Sequence, residues 1–147
     1  MGGFFELTSA RDLHKKCLHE FEEFHNHPSH YNLFNLVTSV AHLREWIWPK
    51  GHKRYGEALE SEATAARLHN ELHKNGSYKI ILNLCNSAKH YGVSSEDYRQ
   101  EVTEGAQCGV ARCGDRLGQD YFLVNGQDVR FHLNEVMSIY NAYFRED

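Results

Sequence analysis

Two apolar segments of the chain each carry a line of polar residues: Asn35, Thr38, His42 and Glu45 in one, and Lys79, Asn83, Asn86 and His90 in the other. Steps of three and four residues return to one side of an α-helix, so each set forms a stripe rather than a scatter. Two such stripes facing each other would build a polar cleft. His42 and His90 titrate near neutral pH, Glu45 can orient an imidazole, and Asn83, Asn86 and Lys89 can meet the polar atoms or phosphate of a ligand. As a binding site the set is His42, Glu45, Asn83, Asn86, Lys89 and His90. As a catalytic site, His90 is the acid or base, His42 its counterpart and Glu45 the orienter. The same residue types also satisfy one another in buried networks that do no chemistry.

His69 and His73 form a second pattern, because a spacing of four sets two imidazoles on one helical face. A third ligand from His42 or His90 would complete a divalent-metal site, the only cofactor these residues suggest. In His69-Asn70-Glu71-Leu72-His73 an asparagine stands where zincin hydrolases place a glutamate, so the pair brings no hydrolytic base. Cys108 and Cys113 are spaced more widely than the cysteine pairs of zinc knuckles, and Cys17 and Cys85 sit among apolar neighbours as small core residues. No glycine-rich phosphate loop and no Gly-x-Ser-x-Gly elbow is present.

The elements that must position these residues are mostly helical. Ser9 and Asp12 have the spacing of a capping box, and Leu13, Cys17, Phe21 and Phe24 then trace one apolar side of a helix that ends near His25, before Asn26-His27-Pro28-Ser29. A second helix runs from Ser29 to Trp48 on a stripe of Leu36, Val40, Leu43 and Ile47. A third falls within Gly56 to Asn75, stopped by Lys74, Asn75 and Gly76, and Ser77 caps a fourth that closes at Gly92. Beyond this point glycines multiply and short strands fit better. Gln119 to Val124 and Gln127 to His132 flank Asn125-Gly126, a dipeptide favoured in two-residue hairpins because both residues tolerate positive φ. Further short strands are expected around Tyr98 to Thr103 and Cys108 to Cys113, and an amphipathic helix from Leu133 to Phe144 closes the chain. The fold class is α+β, predominantly helical: a four-helix N-terminal bundle, a small antiparallel sheet with an Asn-Gly hairpin, and a closing C-terminal helix.

With 147 residues, 41% of them hydrophobic, the chain can bury one core, and a single domain is expected, its bundle in 1–92 and its sheet and last helix in 93–147. There is no leader-like opening and no apolar run of bilayer length, so a cytoplasmic protein without a membrane partner is expected. A net charge of −4 opposes a broad grip on duplex nucleic acid. A local exception is Trp48-Pro49-Lys50-Gly51-His52-Lys53-Arg54-Tyr55, which mixes cations with aromatic rings as single-strand binders do.

Several segments together resemble a group of small, uncharacterised bacterial and phage helical proteins: Leu7-Thr8-Ser9-Ala10-Arg11-Asp12-Leu13, then Asn35-Leu36-Val37-Thr38 with His42-Leu43-Arg44-Glu45-Trp46, then Cys85-Asn86-Ser87-Ala88-Lys89-His90. Their motifs are HL-x-(D/E)-W and N-(G/S)-x-KH. The second box also resembles the end of the motif in HEPN-type proteins, a helical family of RNase toxins, antiviral effectors and inactive, nucleotide-binding or dimerising members. That resemblance implies a nucleotide or RNA partner, or a homodimer or protein partner, in a defence or counter-defence setting. The HEPN motif pairs its histidine with an upstream arginine across four to six intervening residues; here Cys85, Leu84 and Asn83 hold those places. The resemblance therefore extends to Asn86, Lys89 and His90, and favours ligand binding over RNase chemistry.

Overall fold

The computed structural model describes residues 3–48, 60–92, 98–105 and 109–146. The basic stretch from Pro49 to Tyr55, the start of the third helix at Gly56 and Cys108 lie outside the described residues. The element order is α1 (Ala10–Asn26), α2 (His30–Ile47), α3 (Glu60–Lys74), α4 (Gly76–Lys89), β1 (Gln100–Glu104), β2 (Asp120–Val124), β3 (Gln127–Asp128) and α5 (Val129–Glu146). This is the α+β, mainly helical architecture that the apolar periodicity predicts.

Local chemistry explains where the first helices begin. Ser9 Oγ accepts from the Asp12 N–H at 3.2 Å while the Asp12 carboxylate accepts from the Ser9 N–H at 3.0 Å, which completes the predicted capping box. Ser29 caps α2 by accepting from the Asn32 N–H at 3.1 Å. α4 departs from expectation. Its cap is Asn75, whose side chain accepts from the Tyr78 N–H at 3.0 Å, so Gly76 is helical and Ser77 is freed for other bonds. Asn75 alone therefore separates α3 from α4.

One hydrophobic cluster draws on all five helices and β2. Leu36, Val40 and Leu43 of α2 lie fully buried within it, together with Leu72, Ile81, Leu133, Val136 and Tyr140. α2 packs against both α1 and α4, and α5 closes over α4, α3 and the sheet. Cys17 and Cys85 are free and buried, as their apolar neighbours suggested, and burial pushes the Cys17 thiol up to about 12.

The sheet is antiparallel in the order β1-β2-β3. Asn125 and Gly126 have φ values of 51° and 78°, the positive pair that a tight hairpin demands, and Val124 faces Gln127 across the turn. Two strand expectations need correction. The strand after the turn stops at Asp128 instead of His132, because the Asp128 carboxylate accepts from the Arg130 N–H at 2.9 Å and starts α5 four residues before Leu133. Residues 109–113 make turns instead of a strand, with Gly109 and Gly114 at φ of 85° and 93°.

That turn-rich segment is pinned by charge. Arg130 grips Asp115 with two N–H···O bonds of 2.7 and 3.1 Å and reaches Asp128 through Nε at 2.8 Å, while the Tyr121 hydroxyl also donates to Asp115 at 3.0 Å. The Arg130 guanidinium holds the Asp115 carboxyl well below the ordinary carboxylate range. One arginine thus fastens the loop, β2 and the start of α5 together.

Candidate functional site

The two polar stripes meet only in part. α4 turns Tyr78, Ile81, Leu84 and Cys85 inward, and Lys89 lies one turn beyond Cys85 on the same side. The line of Lys79, Asn83, Asn86 and His90 sits next to that side, displaced by one residue or about 100° around the axis. Consequently Lys89 and Cys85, rather than Asn86 and His90, approach the α2 stripe.

His42 is half-buried on α2, and burial lowers its pKa from the ordinary value of 6.5. Lys89 of α4 and Lys16 of α1 act in the same direction, with Glu45 opposing them. Lys89 and Glu45 also act in opposite senses on the buried Cys85 thiol, which burial raises. His42, Glu45, Cys85 and Lys89 therefore form one electrostatic cluster across the α2–α4 seam, with Lys16 entering from α1. Lys16 Nζ donates to Glu20 at 2.5 Å and to buried Ser39 of α2 at 2.7 Å.

The other stripe residues are placed differently. Asn35 and Asn86 are exposed, and Thr38 donates its hydroxyl back to the Phe34 carbonyl of its own helix at 2.8 Å. His90 is the exposed C-cap of α4, its backbone N–H donating to the Asn86 carbonyl at 3.0 Å. No hydrogen bond joins it to His42. Asn83 is half-buried and its Oδ1 has no donor among the described residues.

His69 and His73 do come together, with ring centroids 4.2 Å apart. Arginine can only donate, so the 3.0 Å contact from Arg44 makes Nδ1 of His69 an acceptor and places the ring proton on Nε2. In that tautomer the Nδ1 lone pair of His69 is engaged by Arg44. Among the described residues no group of three His, Cys, Asp or Glu side chains could hold an ion.

Arg44 itself escaped the sequence reading. Only 4% exposed, it donates Nε to the Tyr78 hydroxyl at 3.0 Å, Nη1 to His69, and Nη2 to Glu45 at 3.4 Å. Tyr140 of α5, electrostatically coupled to Tyr78, donates its hydroxyl to the Val40 carbonyl at 3.0 Å. The available signal was its place four residues after Val40, within the apolar stripe. A second unforeseen set lies between α4 and α5: Ser77 Oγ is 2.9 Å from His132 Nδ1 and is hydrogen-bonded to the Glu135 carboxylate. Because the carboxylate holds the serine rather than the imidazole, this set lacks the base–orienter order of a nucleophilic triad.

No family model matches the chain, and neither a curated protein nor a solved structure does.

Two outcomes follow. Tyr78→Phe removes the acceptor of the Arg44 Nε–H and leaves a desolvated donor, so urea unfolding should show a loss of about 1–3 kcal/mol. Arg44→Met, which removes the charge together with its needs, should cost less. The histidines predict acid sensitivity: His14, His42 and His132 all have lowered pKa values caused first by burial, so the fold binds fewer protons than the unfolded chain. Their stabilisation is complete above pH 6.5, the ordinary histidine value, and is lost as pH falls through the lower folded values. The urea midpoint should therefore drop between neutral pH and about pH 5, where carboxylates have not yet begun to dominate.

Proposed function

We propose that the chain is a small cytoplasmic ligand-binding protein whose α1–α2–α4 face takes a phosphate group, from a nucleotide or from RNA. The reading rests on one observation: two lysines from different helices, Lys16 and Lys89, bear on the half-buried imidazole of His42. A cationic field beside a neutral, dual-role imidazole favours an acceptor-rich anion, which in turn would draw a proton onto His42. Glu45, and Glu20 as the partner of Lys16, limit that field, so that Lys89 is its main source; Glu45 also supplies an acceptor for a ribose hydroxyl, and Asn86 and His90, exposed at the end of α4, extend the surface along the same helix. The N-(G/S)-x-KH box gives the reading its bacterial or phage defence setting. No described helix is long and apolar enough to cross a membrane.

Binding is favoured over catalysis, since His90 is the exposed cap of α4 and no hydrogen bond couples it to His42. The test is titration of the protein with ATP and with a short oligoadenylate, following the His42 ring resonances. Saturable binding that weakens with salt, raises the His42 pKa and drops about tenfold in Lys89→Ala is expected, as for loss of one charge-assisted contact. Binding indifferent to both Lys89→Ala and His42→Ala would remove this face from consideration, and RNA cleavage abolished by His90→Ala would move the protein to the enzyme reading.

A second reading, a noncatalytic homodimeric interaction module, draws on a different observation. A groove of about 440 Å³ runs between α2, α4 and the sheet, and in its lining Phe34 is 49% and Val102 58% exposed. If the groove is the contact between two copies, the wild type should sediment as a dimer at micromolar concentration and Phe34→Glu as a monomer. A monomeric wild type excludes it.

A further inference from the structure

A second cavity, of about 270 Å³, opens where the end of α1, the turn segment before β2 and the start of α5 converge. Its apolar wall is Phe21 and Phe24 of α1. The polar wall is rich in donors and poor in acceptors. Asp115 lines it, but both of its oxygens are already occupied by Arg130, Tyr121 and the Arg112 N–H. Arg130 in turn spends Nε–H and one N–H of each Nη on Asp128 and Asp115, and its charge is met by both carboxylates. The Arg112 guanidinium is exposed and meets no carboxylate among the described residues, and the exposed His25 ring and Asn134 amide add further donors. A locked ion-pair network thus fixes the segment that brings Arg112, without a carboxylate partner among the described residues, to the lining of a cavity that also holds two phenyl rings.

We propose that this cavity is a binding site for a small organic anion, a carboxylate or phosphate monoester carried on a flat apolar body. The anionic head meets Arg112, with Asn134 and His25 beside it, and the apolar body lies against Phe21 and Phe24. Charge-assisted bonds to a guanidinium select an acceptor-only head group, and the phenyl wall selects against a bare ion. The volume falls just below the range of drug-sized sites and suits a single ring with its head group. This site is separate from the His42 face, and neither depends on the other.

Cys113 supplies the measurement. Its thiol is free, exposed and part of the cavity lining, whereas Cys17 and Cys85 are buried. The rate of its alkylation by N-ethylmaleimide, resolved from the other thiols by peptide mass spectrometry, is followed in the full chain against rising phenyl phosphate, benzoate, inorganic phosphate or benzylamine. Saturable protection by phenyl phosphate or benzoate is expected, the more effective of the two identifying the head group, with little protection from inorganic phosphate and none from benzylamine. In Arg112→Gln the half-protecting concentration should rise about tenfold. That guanidinium makes no hydrogen bond or ion pair among the described residues, and His25→Ala, with a smaller expected rise, provides an independent second variant. Absence of protection by both aromatic anions at tens of millimolar overturns the proposal. So does equal protection by benzylamine, or a half-protecting concentration unchanged in both variants.

Discussion

A guanidinium buried in the middle of a helical bundle must have its donors met, and the helices are arranged around meeting those of Arg44. Its bonds to Tyr78 and His69 tie α2 to α4 and α3 at one point. They also fix how far α2 is rotated about its axis. With Arg44 turned toward α3, residue 42 lies about 200° away around the helix, which is what sends His42 toward Lys16 of α1 and the far end of α4. The buried charge and the candidate ligand face are therefore two sides of one azimuth. Tyr140 extends the arrangement to α5 by way of the Val40 carbonyl, so a single polar seam runs through an otherwise apolar core.

The sheet end of the molecule repeats the device with a different arginine. Arg130 and Asp115 hold a segment with little apolar content, which by burial alone would have no reason to adopt one conformation. Ser77 and His132 do the same between α4 and α5. Each fastening is long-range in sequence, and each places its polar atoms where neighbouring apolar residues exclude water. Such contacts contribute specificity as much as stability, because a mispacked alternative would leave the same groups desolvated and unmet.

Local signals made much of the fold legible in the sequence. Ser9 with Asp12, Ser29, and Asn125-Gly126 each act within a few residues, so their outcome does not depend on what packs against them. Where a local choice has competitors, the sequence alone does not decide it. Asn75 and Ser77 are both good caps, and the tertiary partners of Ser77 decided between them. Asp128 converted a run of strand-like residues into a helix start. The site was less legible for a geometric reason: helical periodicity places residues on a common line but leaves the direction of that line open. Asn83, Asn86 and His90 form the expected stripe, yet the side of α4 turned toward α2 is set by Tyr78, Ile81 and Cys85 and carries Lys89 instead. Arg44 was hidden because a charged residue at an apolar position reads as surface until its partners, distant in sequence, are known.

The Tyr140–Val40 bond closes a loop of 100 residues. On a ribosome adding roughly 5–20 residues per second, Val40 is in place about 5 to 20 seconds before its partner is made. During that interval α1, α3 and α4 are made and can pair with α2, but the part of the core that α5 closes has nothing to cover it until the end. His69 and Tyr78 follow Arg44 by only 25 and 34 residues, so the acceptors of the buried guanidinium are made early, whereas the apolar surface that α5 will cover stays open longest, and it is in this window, more than in the finished protein, that the molecule depends on being kept from other chains.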